Sequence, residues 1–267
     1  MTMRTEWSAI NNQDTVYHYT KIGNAVGHIL YDRRLKFSKG INTNDPREYR
    51  NWDLEPHLDG DYSYEDFRRN CLEAEKSFGE TKAHYKYACF CLNDFTRQTQ
   101  TRLPGYARLR MWAQYGENFY GVCIAFSDQC LKERLGGNVI LYAKPVLYDG
   151  DLEHNDTILS DADANKFICK TKDAKDEWAA CYIRDHVDQL FFSKHEDYRD
   201  EREFRIVVHD PEDIIEYVDV SGCIKAVILG DRTKAAYHEI VKDLCRKMNA
   251  VCKQAVWQRG RLHLIDV

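Results

Sequence analysis

Long apolar runs are missing from the 267-residue sequence. No stretch approaches the ~20 consecutive apolar residues that a membrane-spanning helix requires, and the first residues lack the pattern of a signal peptide. Internal repeats and low-complexity segments are also lacking. These absences argue against membrane proteins and repeat arrays. We therefore expect a soluble, cytoplasmic protein.

A strong positive charge is lacking as well. The net charge is −5, which argues against indiscriminate binding of nucleic acid through bulk charge but allows a local basic patch. Charged residues make up 30% of the chain and hydrophobic residues 43%, so a single large domain can bury a substantial core and long disordered tails are not expected.

The chain has ten cysteines, but they do not follow the spacing typical of metal-binding sites. The sequence contains no CxxC pair and no pair of histidines at ligand spacing, and we expect no metal site. In a reducing compartment, most of these cysteines are expected to be small, buried, apolar residues.

Hydrophobic periodicity predicts runs of strands with inserted helices, which is typical of an α+β fold in one domain. Residues 1–14 are polar and are expected to be loosely held. Segments 48–84 and 149–190 are interpreted as helical insertions, the first with a helix over 64–78. A helix over 233–248 is expected to face the core with Ala236, Ile240, Leu244 and Met248. Strands are expected at 16–20, 35–38, 87–92, 119–127, 139–148, 202–208, 223–229, 251–257 and 261–265.

The most informative stretch is KHEDYRDEREFRIVVHD, residues 194–210. Strand alternation places Phe204 and Ile206 on one face, and Glu201, Glu203 and Arg205 on the other. The two carboxylates then stand about 6–7 Å apart, which suits two acids that act on one substrate. The alternative is a solvated face of alternating charge on an edge strand.

Five short strings occur in a distinctive order, namely YHYT at 17–20, NDPRE at 44–48, MWAQYG at 111–116, EREFR at 201–205 and VILG at 227–230. Together they resemble a bacterial domain family of unknown function over nearly the whole chain. That family looks like a distant relative of the ADP-ribosyltransferases, including toxins that modify nucleic acid. The resemblance implies one ADP-ribosyltransferase-like domain over 1–267, with split mixed or antiparallel sheets and NAD as co-substrate.

The resemblance also implies roles for individual residues. Glu203 takes the place of the catalytic glutamate, Glu201 that of the preceding acidic residue, and His18 that of the first-strand anchor for NAD. Cys89 and Cys91 stand on the strand where that family has serines. The aromatic residue over the nicotinamide is left open among Tyr19, Tyr31 and Tyr115. The remaining implied NAD contacts are Thr20 and Asn44.

Several of these residues also have a structural interpretation. His18 fits a core histidine that bonds a backbone carbonyl. Asn44 and Asp45 fit a simple turn. Trp112 and Tyr115 fit core packing on a helix.

A polar connection over 93–110 is the candidate site for the acceptor of ADP-ribose. Guanidinium groups pair with phosphates, and an exposed tyrosine offers a surface on which a base can stack. The alternative is a solvated loop. The candidate acceptor-binding residues are Arg97, Arg102, Tyr106, Arg108 and Arg110.

Cleavage of the glycosidic bond of NAD passes through an oxocarbenium-like state that a carboxylate stabilises. The resemblance therefore implies an ADP-ribosyltransferase of the toxin or phage-defence type. Its macromolecular acceptor would be RNA or DNA, because of the basic loop, or protein, because of the ExE pattern. The toxin resemblance implies an antitoxin or inhibitor protein as a partner, and no membrane partner is expected. The alternatives are an NAD glycohydrolase and a non-catalytic module that binds a nucleotide or nucleic acid.

Overall fold

A computed structural model describes residues 7, 10–40, 63–94, 103–136, 139–149 and 171–267. The strands are β1 Thr15–Thr20, β2 Arg34–Lys36, β3 Ser38–Lys39, β4 Tyr85–Leu92, β5 Val122–Ser127, β6 Ile140–Pro145, β7 Leu147–Asp149, β8 Ser193–His195, β9 Glu203–His209, β10 Tyr217–Asp219, β11 Ile224–Leu229, β12 Val251–Gln258 and β13 Arg261–Asp266. The α-helices are α1 Ile22–Asn24, α2 Tyr64–Lys82, α3 Leu109–Gln114, α4 Asp128–Leu135, α5 Lys172–Asp185, α6 Val187–Phe191 and α7 Ala235–Met248. A π-helix, Ala25–Tyr31, continues α1, and 3-10 turns span Gly105–Ala107, Glu117–Phe119 and Glu196–Glu201.

One mixed sheet organises the part of the chain that the structure describes. Its strand order is β13-β12-β11-β5-β1-β4-β9-β6, and β3 pairs with β4 beside this path. The pairing of β11 with β12 is parallel, because α7 crosses over between these strands, and the other pairings in this sheet are antiparallel. The α+β class and the mixed sheet that the sequence predicts are confirmed.

The sheet opens between β1 and β4. These strands pair only at Val16 with Leu92 and at Tyr17 with Cys91. On its other side β1 stays paired with β5 from Thr15 to Thr20. Beyond the two shared pairs β4 has a different neighbour, because Ser38 of β3 pairs with Tyr87. The result is a gap in the sheet, bordered by β1 on one side and by β4 and β3 on the other.

Helices cover both faces of the sheet. One face packs against the π-helix, α4 and α7, through buried residues such as Leu30, Leu131 and Val241. On the other face, Trp112 of α3 packs near β1. On the same face, α5 and α6 pack near β4 and β9 in a separate cluster that includes Phe191. The gap between β1 and β4 therefore lies between two separately packed regions of the core.

Most predicted elements are present, with shifted ends. The helix predicted at 64–78 extends to Lys82, and the strand predicted at 119–127 begins at Val122 because residues 117–119 form a 3-10 turn. The predicted inner face of α7 is correct for Leu244 and Met248, which pack against the core, and wrong for Ile240. Val241 and Cys245 are buried, whereas Ile240 is 46% exposed. Which residues of α7 face the core depends on where the sheet lies, and the helical period alone does not specify that position.

One cysteine pair differs from the expected free thiols. Cys130 at the start of α4 forms a disulfide with Cys223, which precedes β11. Seven other cysteines in the described ranges are free, and four of them are buried. Among the described helices, none combines the length and the apolar character needed to cross a bilayer.

Candidate functional site

A cavity of about 250 Å³ lies at the gap between β1 and β4. His18 of β1, Cys89 of β4 and Glu203 of β9 line it together with Glu201. Strand alternation puts His18 and Glu203 on opposite faces of the sheet, with Val16 and with Tyr17 respectively. They reach one cavity because the sheet is open at this point. His18 and Glu203, to which the resemblance gives roles in one NAD site, therefore line the same cavity.

The two carboxylates meet at one lysine rather than along one strand. Glu201 is the last residue of a 3-10 turn, and Arg202 has a left-handed backbone with φ of 47°, so β9 begins only at Glu203. The Nζ of Lys194 lies 2.9 Å from Oε2 of Glu201 and 2.7 Å from Oε2 of Glu203. The alternative of a solvated charged face is wrong, because Glu201, Glu203 and Arg205 are 2%, 4% and 0% exposed.

Glu203 is the more heavily neutralised of the two acids. Arg205 donates from Nε to Oε1 at 2.5 Å and from Nη2 to Oε2 at 3.1 Å, and its Nη1 donates to the carbonyl of Phe191 at 2.7 Å. Burial raises the pKa of Glu203, but the charges of Arg205 and Lys194 outweigh it and bring the pKa to about 2. This carboxylate therefore stays ionised at neutral pH.

The two acids differ in their remaining capacity to accept hydrogen bonds. A carboxylate offers about four acceptor positions. Glu203 accepts two bonds from Arg205, one from Lys194 and one from the thiol of Cys89. Glu201 accepts one from Lys194 and one, at 3.1 Å, from the hydroxyl of Tyr115. Glu201 is thus the acid with acceptor positions left for a ligand.

His18 is neutral and has one ring nitrogen to spare. Its Nδ1 donates to the carbonyl of Cys89 at 3.0 Å, across the gap in the sheet. Burial lowers its pKa, and this effect exceeds the opposing effect of the carbonyl. The proton therefore sits on Nδ1. Within the described ranges Nε2 has no partner, and His18 is one of the residues that line the cavity. His18 thus bonds a backbone carbonyl, as its structural interpretation expects, and its binding role stays a prediction.

The cysteines at the serine positions behave differently. Cys89 lines the cavity, and burial together with the charge of Glu203 raises its pKa, so it stays a thiol that donates to Glu203. Cys91 is fully buried and lies next to Arg108. Cys89 therefore supports Glu203 from the cavity wall, whereas Cys91 is a core residue outside that wall.

The three competing tyrosines occupy different environments. Tyr115 lines the cavity and donates to Glu201. Tyr19 also lines it, but its hydroxyl donates to the carbonyl of Gly105 at 2.6 Å. Tyr31 is 73% exposed at the end of the π-helix and, like the buried Thr20, does not line the cavity. Tyr115 is the best placed of the three, and Asn44 lies outside the described residues.

Two arginines assigned to the acceptor hold the turn that carries Glu201. Nη1 of Arg108 donates to the carbonyl of Asp200 at 3.1 Å, and Nη1 of Arg110 donates to the carbonyl of Asp197 at 2.7 Å. Arg108 is only 7% exposed. Tyr106 packs edge-on against Trp7 and Tyr17. Arg97 and Arg102 lie outside the described residues, so an acceptor role for this segment stays a prediction.

Several residues of the cavity were not assigned from the sequence. Lys194 stands at the start of the stretch that carries both acids, and Lys36, Ser38 and Lys39 follow the first helix. A lysine that starts an acid-rich segment is a usable signal, since two buried carboxylates need a cation. No comparable signal marks residues 36–39. Among the residues placed by the structure, no three His, Cys, Asp or Glu side chains form a metal-binding group.

The comparison with known families covers only part of this site. Residues 111–206 match the model of a family described as Protein of unknown function (DUF2971). This match includes Tyr115, Lys194, Glu201, Glu203 and Arg205, and it ends before β9 does. No curated protein and no solved structure matches the chain. The family match carries no reaction or ligand, so the function is argued from the geometry of the cavity.

Proposed function

We propose that the protein is an NAD-dependent ADP-ribosyltransferase that acts on a macromolecular acceptor. The observation that supports this most is the meeting of His18, Glu201 and Glu203 at one cavity in an open sheet. In this proposal Nε2 of His18 accepts a hydrogen bond from a ribose hydroxyl. Nicotinamide leaves as the glycosidic bond breaks, and an acceptor nucleophile bonds to the ribose carbon.

The two acids divide the work in this proposal. Glu203 is held ionised and supplies a fixed negative charge close to the developing cation. Glu201 has free acceptor positions and receives the hydrogen bond of the attacking hydroxyl or amine. Tyr115 and Lys194 orient Glu201 for this task. A nucleic-acid base remains the favoured acceptor over a protein side chain.

The second candidate function is non-catalytic binding of a nucleotide. One observation favours it, namely the neutralisation of both acids by Lys194 and Arg205. A carboxylate whose charge is balanced by two cations stabilises a developing cation less than a free one would.

The decisive experiment supplies the purified full chain with NAD labelled in the adenylate phosphate, together with RNA, DNA or cell lysate. The first proposal expects label on a macromolecule and an equal amount of free nicotinamide. Free ADP-ribose without labelled macromolecule would indicate NAD hydrolysis. Saturable binding of NAD without release of nicotinamide would indicate the binding module and contradict the transferase.

Two substitutions make this experiment specific. Glu201→Gln should reduce labelling at least about a hundredfold, because the acceptor of the nucleophile's proton is lost. The matched control is Glu196→Gln, a partly exposed acid on the same turn that pairs with Arg199. The control should label as the wild type does. Equal activity of Glu201→Gln and wild type would remove Glu201 from the reaction.

A further inference from the structure

The inner wall of the cavity is balanced in charge. Lys194 and Arg205 supply two positive charges, and Glu201 and Glu203 supply two negative ones, all with side chains at most 7% exposed. A phosphate placed against this wall would be repelled by the two carboxylates, and the two cations beside them already pair with these carboxylates. The inner wall therefore suits a neutral or cationic group better than an anion.

The rim of the cavity has a different character. Lys36 and Lys39 line it from β2 and β3. Lys36 lies 3.3 Å from Glu216, and both of these side chains are more than half exposed. Lys39 lies 2.9 Å from Asp213, with the two side chains 38% and 57% exposed. Exposed pairs of this kind contribute little to stability and exchange readily for a more strongly charged partner.

The acids at the rim keep their own partners when a ligand takes the lysines. Asp213 also accepts from the buried Lys86, at 2.5 Å, so it does not depend on Lys39. Glu216 is exposed to water. Ser38, between the two lysines, lines the cavity as well and carries a hydroxyl donor. The rim thus offers two exchangeable ammonium groups and a hydroxyl.

We propose that Lys36 and Lys39, with Ser38 between them, form a subsite for the diphosphate of a dinucleotide. This inference rests on the proposed function for the identity of the ligand. A cavity of about 250 Å³ has room for a part of the ligand of roughly nucleoside size, so the diphosphate of NAD lies at its rim. The ribose that reacts then lies inside, beside His18 and Glu201, and the diphosphate bridges the rim lysines.

The test measures binding by calorimetry for the wild type and for the double variant Lys36→Gln/Lys39→Gln. The probes are ADP, NAD and the phosphate-free nucleosides adenosine and nicotinamide riboside. We expect the Kd for ADP and for NAD to rise about tenfold or more, because two charge-assisted contacts are lost. The Kd for the nucleosides should change less than about twofold. Raising the salt concentration should weaken ADP binding to the wild type and have less effect on the variant.

The matched control is Lys76→Gln/Lys247→Gln, which removes two exposed lysines that also pair with carboxylates but do not line this cavity. It should bind ADP as the wild type does. Equal ADP affinity of the rim variant and the wild type, an equal loss for the nucleosides, or no binding of ADP to the wild type would each overturn the subsite. Weakened ADP binding in a protein that never cleaves NAD would support the subsite and contradict the transferase.

Discussion

Arg205 holds Glu203 with two nitrogen atoms, Nε at 2.5 Å from Oε1 and Nη2 at 3.1 Å from Oε2. Both side chains are almost fully buried. A pair of this kind adds little to stability compared with apolar residues, but losing one partner leaves the other as an uncompensated buried charge. Substitution of Glu203 therefore affects the stability of the fold as well as the charge of the site.

Glu203→Gln is expected to reduce the free energy of unfolding by about 3–5 kcal/mol, because Arg205 then loses its buried carboxylate partner. Urea denaturation followed by circular dichroism measures this loss. The double variant Glu203→Gln/Arg205→Met should recover part of it, since the unpaired guanidinium is removed. A single variant as stable as the wild type would show that the ion pair is not buried in solution. Loss of activity in Glu203→Gln alone therefore does not identify a catalytic group.

The pH dependence of stability follows from the same ion pair. The pKa of Glu203 is about 2 in the folded chain and 4.5 without the fold, so the unfolded state binds the proton more readily. Its stabilising contribution is complete above about pH 4.5 and is lost as the pH falls through about 2. The contribution is on the order of 3 kcal/mol. The stability gap between wild type and Glu203→Gln should shrink between pH 5 and pH 3, and a constant gap would contradict the assignment.

Two substitutions at His18 distinguish the roles of its two ring nitrogen atoms. In His18→Asn the amide nitrogen occupies a place near Nδ1 and keeps the bond to the Cys89 carbonyl, but Nε2 is lost. In His18→Gln the amide lies near Nε2 and the bond to Cys89 is lost. We expect His18→Asn to fold normally and to lower kcat/KM for nicotinamide release about tenfold or more. We expect His18→Gln to be less stable by about 1 kcal/mol but more active than His18→Asn. The reverse order of activities would assign His18 a structural role only.

The position of Glu201 is expected to depend on Arg110, which bonds the carbonyl of Asp197 in the same turn. Arg110→Ala should raise amide hydrogen exchange over residues 196–201 and lower kcat more than it raises KM. Arg110→Lys should restore part of both effects, because a lysine can still reach a carbonyl. The matched control is Arg199→Ala, an exposed arginine that pairs with Glu196 within the turn. Unchanged exchange in Arg110→Ala would mean that Arg110 does not position this turn.

The sequence assigns His18 and Glu203 to the site, but it does not predict the turn that carries Glu201 or the arginines that hold this turn. The resemblance that rests on the motif order assigns His18 and Glu203, which are remote in the chain, to one site, and both line the cavity. Alternation and motif order do not predict that Glu201 belongs to a turn, since the left-handed backbone at Arg202 carries no glycine to mark it. They also do not assign Arg108 and Arg110, because an arginine that bonds a backbone carbonyl and one that bonds phosphate look alike in a sequence.

The short paired region between β1 and β4, called here the seam, bears on how the two parts of the sheet can move relative to each other. Strands β5, β11, β12 and β13 extend the sheet from β1, and β9 and β6 extend it from β4. The two groups of strands meet at two backbone pairs between β1 and β4, at the bond from His18 to the carbonyl of Cys89, and at the edge-on contact of Phe90 with Phe126. Any rotation of one group relative to the other would use this short seam as its hinge and would widen or narrow the space beside Glu201. A ligand that spans from the rim lysines to His18 would contact both the β4 side and the β1 side of the sheet. It would restrict rotation of one side relative to the other.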